Sequence, residues 1–173
     1  MSAALPEVLD AWRAVASRRR FEGVVPLSAL PRLAAGLADV AGEVRYVLDF
    51  YRDASGTGCV EVEVEAALPL VCQRSLDRFL LPVTVRQRLG LLAREQDESG
   101  LPAGFEPLLV PSGELRPLDV VEDELILCLP VVPLDPAGAE GPKGGWSSDS
   151  AARDQGPAED RRSPFAALAK LKR

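Results

Sequence analysis

Glu122, Asp123 and Glu124 stand side by side at the head of the densest apolar run in the chain, Leu125-Ile126-Leu127-Cys128-Leu129, which Pro130 and Pro133 close. Grouped carboxylates are the raw material for metal binding, for general acid–base chemistry, or for receiving a basic partner. On a helix, successive residues turn about 100°, so Glu122 and Glu124 point roughly 200° apart and cannot address one substrate atom together. That geometry favours solvation of a helix start, or a partner-binding acidic surface, over catalysis. Glu124 lies nearest the apolar stripe and is expected to be the most buried of the three.

A second acidic group, Glu61, Glu63 and Glu65, alternates with Val60, Val62 and Val64. Period-two spacing places all three acids on one face of a strand, where they repel unless basic cross-strand neighbours offset them, and Arg45 is one candidate. The expected partner-binding acids are therefore Glu61, Glu63, Glu65, Glu122 and Asp123. A third group, Cys72-Gln73-Arg74-Ser75, has the look of a polar turn, with Gln73 and Arg74 as contact candidates. Cys72 has no second thiol nearby, and the chain has no histidine to activate it. A structural thiol is the simpler reading. No metal set, cofactor motif or catalytic residue is assigned.

The whole chain has 173 residues, 20 Lys and Arg against 26 Asp and Glu, and a formal net charge of -6. Such a balance argues against wrapping nucleic acid over the whole surface. RNA contact would have to come from Arg13, Arg18, Arg19 and Arg20, or from Arg161, Arg162, Lys170, Lys172 and Arg173. The arginine run reads more simply as a solvated helix end. Three scattered cysteines suggest a reducing compartment. The first residues lack the pattern of a signal peptide, and the longest apolar run is far below the roughly 18 residues of a membrane helix. The expectation is a soluble, cytoplasmic protein with no membrane contact and no predicted oligomeric state.

The elements that must hold these groups follow from periodicity. Asp10 caps a short helix, and Phe21–Val25 is extended. Ser28 begins a helix over 28–38 that carries Leu30, Leu33 and Leu37. Strands beginning at Glu43 and Val60 form a hairpin around the turn 53–58. A third strand runs from Phe79 and lies partly at an edge, because Pro82 cannot donate to a ladder. A polar loop over 94–104 precedes a brief strand over 105–110. Pro117 opens a helix over 117–129, whose second half is expected to be covered on more than one side. The fold class is α+β: an antiparallel sheet or partly open barrel packed against a few helices. One domain over 1–134 precedes a flexible Gly/Pro/Ser-rich linker over 135–163, whose ends would lie on the order of 30 Å apart. A short basic amphipathic segment over 164–173 follows, with Phe165, Lys170, Lys172 and Arg173 as contacts for RNA or a particle.

Several separated motifs resemble the bacterial YceD family, the large ribosomal RNA subunit accumulation proteins. They are Phe21-Glu22-Gly23, Cys72-Gln73-Arg74, Phe105-Glu106-Pro107, Gly113-Glu114-Leu115, Val121 through Pro133, and Ser163 through Lys172. The resemblance implies a part in synthesis, processing or stability of 23S ribosomal RNA, without enzymatic activity. The implied partner is a large-subunit ribosomal protein or assembly factor, with direct binding of precursor 23S rRNA as the alternative. Two positions depart from the family pattern: Ser75 stands where many members have a second cysteine, and Arg116 where many have an aspartate.

Overall fold

Alternation builds the core of the molecule. The computed structural model describes residues 5–137, and five of its strands form one sheet in the order β2-β3-β4-β5-β6. They are β2 (Arg20–Pro26), β3 (Glu43–Arg52), β4 (Gly58–Val71), β5 (Arg78–Leu92) and β6 (Glu106–Leu109). β1 (Leu9–Asp10) pairs separately with β7 (Glu114–Leu115). Helices α1 (Ala11–Ala16), α2 (Pro31–Ala34) and α3 (Pro117–Leu127) complete an α+β architecture whose sheet stays open.

On β3 and β4 the inward positions Val44, Tyr46, Leu48, Phe50, Val60, Val62, Val64 and Leu68 are buried. Val120, Val121 and Leu125 of α3 join the same core, so this helix packs on the valine face of β4. Phe21 meets Phe50 edge-to-face with centroids 6.2 Å apart, a favourable arrangement for two ring quadrupoles. Gly23 sits opposite Tyr46, and a Cβ there would come within 2.7 Å of the Tyr46 hydroxyl oxygen. The glycine in Phe21-Glu22-Gly23 thus leaves room for a buried tyrosine to cross β2.

The expected hairpin is present, with Arg52 opposite Gly58. Its turn is tied by the Asp53 carboxylate, which accepts from the amides of Ser55 and Thr57 at 3.0 and 2.7 Å. Asp10 caps α1 by accepting from the Arg13 amide at 2.9 Å. Pro82 does no harm, because β6 pairs only with Leu89–Leu92 and leaves the earlier part of that β5 edge without a described partner.

Three expectations change. First, the sheet is not wholly antiparallel: β6 runs parallel to β5. A parallel pair needs a crossover, and the polar stretch read as a loop supplies it, including a 3-10 turn over Glu95–Gly100. Leu101 of this crossover packs into the space left by the missing side chain of Gly90. Second, the helix over 28–38 breaks in two. Leu27–Ala29 form a 3-10 turn, Leu30 leaves helical geometry, and α2 restarts at Pro31 for only 4 residues. Proline suits a first helical position and disfavours helical backbone just before it, so the break falls at Leu30. Third, the first half of α3 is the widely covered half, whereas Leu127 is 75% exposed.

Candidate functional site

Three neighbouring acids on α3 meet three different environments. Glu122 is only 3% exposed, yet its carboxylate is fully engaged. One oxygen accepts from the backbone amides of Arg32 and Leu33 at 2.7 and 3.0 Å, and the other accepts from Arg32 Nε at 2.8 Å. These amides belong to the first turn of α2, which has no side-chain cap from its own flank. Helix-start amides need acceptors, and a residue ninety positions away supplies one. Asp123 stays exposed and accepts from Arg32 Nη1 at 2.6 Å, while Arg32 Nη2 donates to the Asp119 carbonyl at 3.2 Å. Hydrogen bonds to Glu122 and then to Asp123 raise the pKa of the Arg32 guanidinium.

Glu124 is not the most buried of the three, contrary to its position nearest the apolar stripe: it is 8% exposed against 3% for Glu122. The reason is that Glu122 has three donors to offset its desolvation. For the same reason Glu122 is withdrawn from the exposed acidic surface expected of it. Burial, then the charges of Glu106 and Asp123, push the Glu124 carboxyl above its ordinary range.

On β4, Glu61, Glu63 and Glu65 share the outward face, as the alternation predicts. Arg86 on β5 lies 2.9 Å from Glu61 and 3.3 Å from Glu63, so one guanidinium serves two acids. Glu65 stands between Arg45 on β3 and Thr84 on β5, in an open groove that Val24, Glu43 and Pro82 also line. Because α3 packs on the opposite face of β4, the five expected acids do not form one patch. Glu61, Glu63 and Glu65 occupy the outer sheet face, and Asp123 lies on the helical side with Arg32.

Gln73 and Arg74 are exposed on the turn between β4 and β5. The Gln73 amide donates to the Pro133 carbonyl at 2.8 Å, which ties the turn to the segment after α3. In the same turn Leu76 is 74% exposed and holds φ of 64°, an uncommon state for a residue with a side chain. The Cys72 sulfur is buried and accepts from the Asp135 amide at 3.4 Å. That bond, with donors from Ser75 and Arg74, lowers the thiol pKa to about 7. Enclosure keeps it from acting as a nucleophile in this conformation, since reactivity needs access as well as thiolate. Among the described residues no cluster of three or more Cys, Asp or Glu side chains could hold a metal ion. Phe165, Lys170, Lys172 and Arg173 lie outside the described residues, as do nearly all of the proposed linker and the whole terminal segment.

Comparison with known proteins supplies the lineage. Residues 60–172 match the family model described as Large ribosomal RNA subunit accumulation protein YceD. The chain belongs to the YceD family. A protein of Haemophilus influenzae (strain ATCC 51907 / DSM 11121 / KW20 / Rd), named Large ribosomal RNA subunit accumulation protein YceD, is 28% identical over 131 residues, covering 75% of each chain. No solved structure matches.

The YceD match includes β4 from Val60 onward, β5, β6 and α3, so all three α3 acids and Glu106 fall inside it. Arg32 falls before it. Sequence reasoning did not single out Arg32, Arg86 or Glu106 as site residues. Arg86 was accessible from strand alternation, since its outward position on β5 is where the β4 acids need a cation. Arg32 carried no local signal, because its acceptor is ninety residues away.

Proposed function

We propose that this protein is a ribosome-biogenesis factor that supports synthesis, processing or stability of 23S rRNA in the bacterial cytoplasm. It acts by binding a basic large-subunit ribosomal protein or assembly factor, not by catalysis. The observation that carries this reading is the match of residues 60–172 to a family named for accumulation of the large ribosomal RNA. Net charge of -6 supports a basic protein partner, and the outward Glu61, Glu63 and Glu65 offer a sheet face to it. Such complementarity acts mainly on encounter rate and partner choice. Gln73 and Arg74, on an exposed turn beside Leu76, are the proposed contacts to the particle, together with Phe165, Lys170, Lys172 and Arg173. The folded domain spans 1–134, and 135–163 tethers the basic segment 164–173.

The test is the ratio of mature 23S to 16S rRNA in a strain lacking the gene, with and without a plasmid copy. The expected result is a lowered ratio restored by the plasmid. An unchanged ratio and unchanged large-subunit level would overturn the proposal. Purified protein that bound precursor 23S rRNA directly, with a steep loss of affinity as salt rises, would replace the protein-partner reading with the RNA-binding one.

A further inference from the structure

The fold leaves one long strand edge open. β5 spans Arg78–Leu92, but β6 pairs only with Leu89–Leu92, and among the described residues no other strand pairs with that edge. The direction of each β5 backbone group follows from the registers. The Val110 amide donates to the Leu92 carbonyl, so the even residues of β5 turn their N–H and C=O groups toward β6. The Phe50 amide donates to the Arg19 carbonyl, and the same alternation carried across β3 and β4 reaches β5 with the same parity. From Arg78 to Arg88, therefore, the even residues point these groups at the open edge. Pro82 falls on such a position, where its missing donor costs the β4 ladder nothing.

Side chains follow the same alternation. Leu80, Pro82, Thr84, Arg86 and Arg88 are exposed. Leu81, Val83 and Val85 are partly buried against the core. An open edge is a template for a further strand, and a proline and charges restrict which strand it accepts.

The open part runs from Arg78 to Arg88, and its midpoint is Val83. A second β5 laid antiparallel about a two-fold axis at Val83 uses the whole open edge of both copies. It sets Val83 opposite Val83 of the second copy and Leu81 opposite Val85 in both directions, one continuous aliphatic row. On the outer side Arg86 covers Leu80, which is 51% exposed, and Pro82 faces Thr84 with the loss of one bond. Like charges meet only at the ends, Arg78 with Arg88, and Arg78 is already paired with Asp39 at 2.6 Å. The neighbouring registers are worse. Centring on Pro82 opposes two prolines with no donor between them. Centring on Thr84 drives Phe79 of one copy into β6 of the other, beside Leu89.

We propose that two copies of this chain associate edge to edge through β5, with the two-fold axis at Val83, so that two five-stranded sheets become one. Such an axis is perpendicular to the sheet, so both outer faces lie on one side and Glu61, Glu63 and Glu65 are presented twice. The pairing does not depend on the basic-partner reading above. One strand from each copy makes a small interface, so association is expected only at high protein concentration.

The test is sedimentation equilibrium of the full chain over a concentration series, with wild type beside Thr84→Pro and Val24→Pro. The wild type should pass reversibly from monomer to dimer. Thr84→Pro removes the central donor of each copy and spares the β4 ladder, and should weaken the dimer on the order of tenfold. Val24→Pro makes the same change at an exposed position of β2, on the far edge of the sheet, and should leave association unchanged. Val83→Cys, a change close in size, places two thiols across the axis in a pair of closely spaced residues. Mild oxidation should then give a covalent dimer that the wild type, with its three free cysteines, does not form. A wild type that is monomeric at every concentration, an equal loss in Val24→Pro, or no covalent dimer in Val83→Cys overturns the proposal.

Discussion

The β4 acids Glu61, Glu63 and Glu65 and the α3 acids Glu122, Asp123 and Glu124 are equal in number, the first alternating with valines and the second consecutive, and the two elements treat them in opposite ways. A strand with period two sends Glu61, Glu63 and Glu65 to one solvent face, where Arg86 spans the first two. A helix turning about 100° per residue sends Glu122 inward to α2, Asp123 outward to Arg32, and Glu124 into a largely covered position where the described residues offer it no cation. Charge on the strand is therefore shared and replaceable. Charge on the helix is individual: one acid holds the fold together, and its neighbour but one works against it.

The largest expected effect breaks the comparison at Glu122. Glu122→Ala removes acceptors from two α2 amides and leaves Arg32 without its buried partner. A loss of about 3 kcal/mol in urea unfolding is expected. A loss below about 1 kcal/mol would mean that water replaces the cap easily. Arg32→Lys should lower the melting temperature by less than Glu122→Ala, since the two amide bonds survive while the guanidinium contacts to Glu122, Asp123 and the Asp119 carbonyl are lost. Equal losses would place most of the energy in the ion pair. On the strand, Glu63→Gln should change stability by no more than about 0.5 kcal/mol, because its bridge to Arg86 is solvent-exposed. A larger change there would show that the strand acids are as individual as those of the helix.

Much of the scaffold was legible from local pattern. The β3–β4 hairpin follows from alternation around Asp53–Gly58, the α1 cap from Asp10, and the start of α3 from Pro117. What was hidden depended on contacts between distant parts of the chain. The direction of β6 is set by a crossover whose composition reads only as polar loop. The shortness of α2 follows from a break at Leu30 that helical spacing of leucines obscured. Most telling is the order of burial within Glu122-Asp123-Glu124. Local geometry ranked the acids by distance from the apolar stripe, whereas the fold ranked them by available donors, which α2 supplies to Glu122 alone.

The most direct measurement is unfolding free energy of the wild type and Glu124→Gln across pH 4 to 8. Burial and the charges of Glu106 and Asp123 raise the folded pKa of Glu124 above its ordinary value of 4.5. Between those two values the folded state binds the extra proton, so wild-type stability falls as pH rises through that window and the penalty is then constant. Glutamine does not titrate. The variant should match the wild type near pH 4, gain on it through the window, and remain more stable at pH 7. A variant less stable than the wild type at pH 7, or one offset equally at every pH, would contradict the assignment of Glu124 as an uncompensated charge.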